Sequence, residues 1–164
     1  MDLPFKTPEQ LLAYKTIPQL LADKSSGVAS VAPTSSVFEA LQVMENRDVG
    51  FLVVLEQDKL IGVVSERDYA RKVVLAGKAS KDTPVRDIMT KTVFTVAPAD
   101  TVPACMALMT EKRIRHLPVV EGGRVIGVLS VHDLLKQIIS HHERLIRDME
   151  LERIAILNSG AGSY

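Results

Sequence analysis

The chain repeats itself. Gly62-Val-Val-Ser65-Glu-Arg-Asp68 returns as Gly127-Val-Leu-Ser130-Val-His-Asp133, displaced by 65 residues. The same displacement, without a gap, lays Val31-Ala32-Pro33 on Val96-Ala97-Pro98, Met44 on Met109 and Ile61 on Ile126. Over Val28–Val74 against Val93–Ile139, roughly three in ten positions are identical. Such self-similarity means one supersecondary unit used twice, each copy covering the apolar face of the other. A half of about 65 residues is marginal alone, so the chain reads as a fused pair of small units.

Turn and cap signals divide each unit in the same way. The first reads as strand Val28–Ala32, a Pro-Thr-Ser-Ser cap, helix Val37–Arg47, and strands Phe51–Leu55 and Leu60–Ser65 joined by Glu56–Lys59. Ser65 then caps a helix over Glu66–Leu75, which ends at Gly77. The second reads as strand Val93–Ala97, helix Thr101–Lys112, strand His116–Val120, turn Glu121–Gly123, strand Arg124–Ser130 and a helix from Val131. Ahead of the first unit, Thr7-Pro8-Glu9-Gln10 opens a helix to about Tyr14, and a second spans Ile17–Lys24 and stops at Ser25-Ser26-Gly27. The expected organisation is a helical segment 1–27, unit one 28–79, a polar connector 80–92, unit two 93–140, a helical extension 141–157 and a flexible tail 158–164.

The last helix outruns its counterpart. Leu134/Leu135, Ile138/Ile139, His142, Leu145/Ile146 and Met149 keep helical spacing well past the repeat. Two readings fit: a helix folded back on its own core, or a dimer helix, since the stripe exceeds what one small unit can cover.

Composition narrows the function. Lys plus Arg equal Asp plus Glu at 20 each, so no long-range field favours polyanions and nucleic-acid binding is not expected. No segment approaches the roughly 20 apolar residues of a membrane span, and the start lacks a secretory pattern. The lone Cys105 excludes an internal disulfide framework and reads as an inert core thiol. A cytoplasmic protein is expected. No paired carboxylates, Ser-His-Asp set, metal-ligand cluster or Gly-x-Gly-x-x-Gly loop stands out, so no enzyme is expected. His141-His142 point to different helix faces and read as surface residues.

The chemistry gathers where a strand ends in Gly-x-x-Ser and a helix begins. A helix N-terminus favours an anion, and an Asp three residues on is an acceptor for paired hydroxyls. Ser65-x-x-Asp68 and Ser130-x-x-Asp133 equally satisfy a variant of the capping box.

The duplicated β-α-β-β-α unit, the paired Gly-x-x-Ser-x-x-Asp and the stretch Arg113-Ile-Arg-His-Leu-Pro-Val-Val120 resemble a cystathionine-β-synthase (CBS) domain pair, or Bateman module, over about Ile17–Ile139. Ser65-Glu-Arg-Asp-Tyr-Ala-Arg-Lys72 and Asp87-Ile-Met-Thr90 are most similar to small stand-alone CBS-pair proteins of bacteria and plant organelles. The resemblance implies an α/β (α+β) fold of two CBS units, with extra N-terminal helices and a long C-terminal helix. It also implies a non-catalytic sensor that binds AMP, ADP or ATP, with NAD or S-adenosylmethionine as further candidates. Such sensors commonly form dimers, here a homodimer. Because the repeat takes up nearly the whole chain, its output is expected to act in trans on another protein, with the flanking helices as the moving parts.

Carried over, Ser65/Asp68 and Ser130/Asp133 become the ribose-and-phosphate pairs of two clefts, with backbone near Val28–Val31 and Val93–Val96 bordering the adenines. Repeat two has Arg115-His116 where repeat one has Gly50-Phe51, and Arg67 corresponds to His132. The expectation is a first cleft with Arg67, Arg115 and His116 around a phosphate, and a second lacking comparable positive charge. Lys112 and Arg113 read as a solvated helix end. The remaining alternative is an interaction module without physiological nucleotide.

Overall fold

A computed structural model describes residues 14–24 and 27–160, with side chains through Leu157. Residues 7–13 of the expected first helix, the Ser25-Ser26 stop and the last four residues of the tail lie outside the described residues.

Helix α1, Ile17–Ala22, is closed at its start by a reciprocal Thr16/Gln19 capping box, and it stops two residues short of the expected Lys24. Strand β1 is only Ser30–Val31. Helix α2, Val37–Arg47, opens on a Ser36/Glu39 capping box. Strands β2 (Phe51–Glu56) and β3 (Lys59–Ser65) pair antiparallel across Gln57 and Asp58. Both turn residues are left-handed, at φ 50° and 62°, a combination that matches the twist of a two-residue hairpin. Helix α3 is α-helical over Glu66–Tyr69 and widens to π geometry over Ala70–Val74, ending before Gly77 at φ 65°.

Unit two follows the same path: helix α4 (Val102–Lys112), strands β4 (His116–Glu121) and β5 (Arg124–Ser130), and helix α5 (Val131–Gly160). Gly122 and Gly123, at φ 56° and 79°, take the hairpin turn. Both hairpins carry an irregularity at matching places, Val54/Leu55 and Val119/Val120.

The strand expected over Val93–Ala97 is reduced to one parallel bridge, Val96 to Val119. In unit one, Val53 donates its N–H to Ala29 O at 3.2 Å. The matching position is Pro118, which has no N–H to donate, so a ladder bond is lost. The sheets are therefore β1-β2-β3 and β4-β5.

The two cores show the duplication residue by residue. Val31, Val37, Ala40, Met44, Leu52, Val54 and Val64 are buried in one, and Val96, Val102, Cys105, Met109, Leu117, Val119 and Leu129 hold the matching places in the other. The segments ahead of each unit cross over. Ile17 and Leu20, which precede unit one, are buried in the core of unit two. Val85 and Ile88, in the connector, are buried in the core of unit one. The connector is thus no loose linker. Its 3₁₀ turn Val85–Asp87 leads to Thr90, which exchanges backbone hydrogen bonds of 3.0 and 2.8 Å with Val63 on the β3 edge.

This crossing explains the repeated glycines. A Cβ on Gly62 would stand 2.7 Å from Met89 Sδ, and one on Gly127 would stand 2.5 Å from Leu21 Cδ2. Each glycine lies beneath a crossing segment.

Helix α5 runs 30 residues, about 45 Å at 1.5 Å per residue, and takes in Asn158–Gly160 of the expected flexible tail. His141 is a correction: it is 2 % exposed and its ring lies 4.3 Å from Tyr14. Beyond it no described residue is buried. Among the described residues no helix is long and apolar enough to cross a membrane.

Candidate functional site

Each Ser sits at the end of its unit's last strand and caps the helix that follows. Ser65 Oγ donates to Asp68 Oδ2 at 2.7 Å, Ser65 N–H donates to the same oxygen at 3.0 Å, and Asp68 N–H returns a bond to Ser65 Oγ at 3.3 Å. Ser130 and Asp133 repeat the geometry at 2.7, 2.7 and 3.2 Å. The capping-box reading of both pairs is therefore physically present.

The carboxylates differ in what remains. Asp68 Oδ1 pairs with Lys72 Nζ at 2.7 Å and accepts from Thr90 Oγ1 at 3.4 Å, so both its oxygens are engaged. Asp133 gathers its contacts on Oδ2, where Lys24 Nζ also lies at 2.6 Å. Among the described residues its Oδ1 accepts nothing. Burial pushes the Asp133 carboxyl up, but hydrogen bonds from Lys24 and Ser130 outweigh it and hold the group below its ordinary value.

Two clefts lie between the units. The first, about 220 Å³, brings together Ser65, Arg67, Asp68, Arg115 and His116, all singled out from the sequence, with Val93 and Phe94 along its wall. The second, about 530 Å³, holds Ser130 and Asp133, with Val28 and Ala29 in the matching places. Val31 and Val96 line neither. At 8 % and 7 % exposed their side chains fill the two cores, because alternate strand residues point inward. The cleft walls come from the residues just before them.

The second cleft is not without cations, since Lys24 and Arg47 line it, facing Asp48 and Asp133. In the first, three guanidiniums, Arg67, Arg113 and Arg115, face Glu66 and Asp68. With Lys72 on Asp68 and Lys24 on Asp133, the first cleft keeps the greater positive excess.

Arg113 is the cleft residue that sequence reasoning assigned elsewhere. It is the left-handed C-cap of α4 at φ 54°, and its N–H bonds back to the helix while Ile114 N–H reaches Met109 O at 3.0 Å. Asp48 holds the same place after α2 at φ 52°. A bulky residue pays a steric cost in that region. The available signal was the 65-residue alignment of Arg113 with Asp48, a charge reversal at a shared position. Lys112 is exposed, bonded to Glu111 and set over the Phe94 ring, its Nζ 5.2 Å from the ring centroid.

His116 needs a correction as a phosphate cation. Its ring stacks on Phe51, centroids 4.5 Å apart and planes 13° apart. These are equivalent positions of the two copies, so the stack marks where the units meet, and both rings line both clefts. Burial, then Arg115 and Lys24, depress its pKa to about 4 against a smaller pull from Asp133, so at neutral pH the ring is uncharged. Cys105 is fully buried and its thiol is pushed up to about 11, an unreactive core group. Among the described residues no three His, Cys, Asp or Glu converge on a metal position.

Comparison with known proteins agrees with this architecture. The family model described as the CBS domain matches residues 24–75 and 85–140. A mitochondrial CBS domain-containing protein of Arabidopsis thaliana, CBSX3, is 40 % identical over 124 residues, which cover 73 % of this chain and 58 % of that protein. An uncharacterised protein of Methanopyrus kandleri is 36 % identical over 66 % of this chain and 57 % of its own length. The chain thus spans under three fifths of these two relatives. Among solved structures, a protein with CBS domains from Burkholderia ambifaria is 43 % identical at a TM-score of 0.73, covering 77 % of this chain and 95 % of its own. One from Agrobacterium tumefaciens is 33 % identical at a TM-score of 0.69, covering 74 % and 98 %. With both duplicated halves matched in register by the same model, the chain belongs to the CBS-domain family as a tandem pair, a regulatory and non-catalytic module.

Proposed function

We propose that this chain is an adenine-nucleotide sensor that works as a homodimer in the cytoplasm and acts in trans on a separate protein. The observation that carries the reading is the convergence of Arg67, Arg113 and Arg115 on the cleft that also holds Ser65 and the start of α3. Guanidinium forks suit phosphate oxygens, and a helix start adds N–H donors. The first cleft is the phosphate-binding one. The second, roomier and closer to charge balance, suits a less charged group, with Asp133 Oδ1 as acceptor for a ribose hydroxyl. AMP, ADP and ATP are the first ligands to test, then NAD and S-adenosylmethionine.

The test is calorimetric titration with AMP. Loss of one charge-assisted, bidentate contact is worth about 1.5–3 kcal/mol, so Arg115→Ala should weaken binding roughly 10- to 150-fold. Equal affinity for wild type and Arg115→Ala overturns the assignment.

A second reading is favoured by the capping boxes, which close each Ser–Asp pair on itself through one carboxylate oxygen: clefts that serve only folding, in a module used for interaction. Ligand at 100 times its dissociation constant stabilises a fold by about 2.7 kcal/mol, a shift of several degrees in melting. No shift with any adenine nucleotide selects this second reading.

A further inference from the structure

Helix α5 continues past the family's unit. The CBS match ends at residue 140, yet the helix runs on to Gly160. Along it Leu135, Ile139, Ile146 and Met149 are 46, 56, 58 and 66 % exposed. With His142 and Arg153 they alternate in steps of four and three, the 3.5-residue period of a two-helix seam. Among the described residues, none of the helix beyond His141 is buried. Exposed apolar side chains in such a continuous row mark an interaction face.

Charge selects the occupant. Over His141–Leu157, Glu143, Asp148, Glu150 and Glu152 stand against Arg144, Arg147 and Arg153. That excess is acidic, opposite to what an anionic lipid surface attracts. A second copy of the same helix fits, in one direction. Run parallel and in register, the seam sets Arg153 against Arg153 and His142 against His142. Run antiparallel, it sets Leu135 beside Arg153, Ile139 beside Met149 and His142 beside Ile146. It also brings Lys136 beside Glu150 twice and Leu145 against Leu145, with one Glu143–Glu143 approach at the centre. Two attractive pairs against one repulsive one, and no paired arginines in the seam, favour the antiparallel arrangement.

We propose that the extended α5 helices of two copies pair antiparallel along Leu135, Ile139, His142, Ile146 and Met149, joining modules through a surface outside the CBS fold. This rests on the homodimer reading above and is independent of nucleotide binding. The test is disulfide trapping in the full chain, read on a non-reducing gel after mild oxidation. Ile139→Cys/Met149→Cys should give a covalent dimer, and neither single substitution should. Within one helix the two positions are about 15 Å apart, beyond disulfide reach, and the native Cys105 is fully buried. Both substituted positions are exposed, so folding is preserved. A covalent dimer from each single variant means parallel pairing and overturns the proposal, as does no covalent dimer from the double variant. AMP titration of the same variants keeps the two readings apart, since failure to bind nucleotide leaves the trapping result unchanged.

Discussion

The stacked pair where the two units meet should make this protein acid-sensitive well above the carboxylate range. His116 takes its proton only near pH 4 in the folded chain, from an ordinary value of 6.5. Burial against Phe51 is the main cause, and Arg115 and Lys24 add repulsion. A His depressed on folding binds its proton first in the unfolded state. Its contribution is therefore fully present above about pH 6.5 and is lost as pH falls toward 4. The full shift corresponds to roughly 3 kcal/mol, of which about 2 kcal/mol is gone by pH 5.

Urea unfolding at pH 7.5 and pH 5.0, on wild type and His116→Phe, isolates this share. Phenylalanine keeps a ring on Phe51 and does not titrate. His141, also held low by burial, erodes stability in the same direction in both proteins, so only the difference between them reports His116. Asp133 is held below its ordinary 3.8, and its contribution falls away only below that pH, outside the window. The variant should lose about 2 kcal/mol less than wild type between the two pH values, with an unchanged denaturant slope. Equal losses, or a His116 ring titrating near pH 6.5 by NMR, would mean that the fold does not hold His116 neutral.

Three further substitutions have outcomes set by the geometry described above. Gly62→Ala should destabilise by about 1–3 kcal/mol, because its Cβ meets Met89 and, at 3.1 Å, the backbone oxygen of Thr90. Gly127→Ala should cost less in the same urea assay, because only the Leu21 side chain must turn away. Arg113→Asn should leave the melting temperature level or slightly raised, since Asn tolerates the left-handed region. It should weaken AMP binding in calorimetry, and unchanged affinity removes Arg113 from the phosphate group.

The hairpins, helix α2 and both Ser–Asp pairs were legible because each rests on local chemistry: caps, turn residues and a period of two or 3.6. The second parallel strand was not, because Val93–Ala97 carries good strand residues and what cuts its pairing is Pro118, more than twenty residues on. Nor was the crossing of the leading segments. Leu20 and Val85 are apolar at matching places, which says that each is buried but not in whose core. At the site, Arg115 stood out because its counterpart is Gly50. Arg113 did not, because a cation at a helix end has a sufficient local explanation. The neutrality of His116 depends on Phe51 and Lys24, neighbours that only the fold supplies.

The crossing also makes the two units answer for each other. Lys24 leaves the end of α1, ahead of unit one, and bonds Asp133 Oδ2 at 2.6 Å and Val128 O at 2.7 Å in unit two, with side chains 32 % and 21 % exposed. Its loss in Lys24→Met should cost about 1–2 kcal/mol, discounted for partial solvent screening. Asp133 keeps its bonds from Ser130, so it is weakened rather than orphaned. Because Lys24 helps hold that carboxyl below 3.8, the cost is full at neutral pH and shrinks as acid protonates Asp133. If residues 17–24 were an appendage, hydrogen exchange would quicken there alone. With Ile17 and Leu20 inside the core of unit two, the same substitution should quicken exchange in β4 and β5 as well. Exchange confined to α1 would mean that the first segment and the second unit open independently.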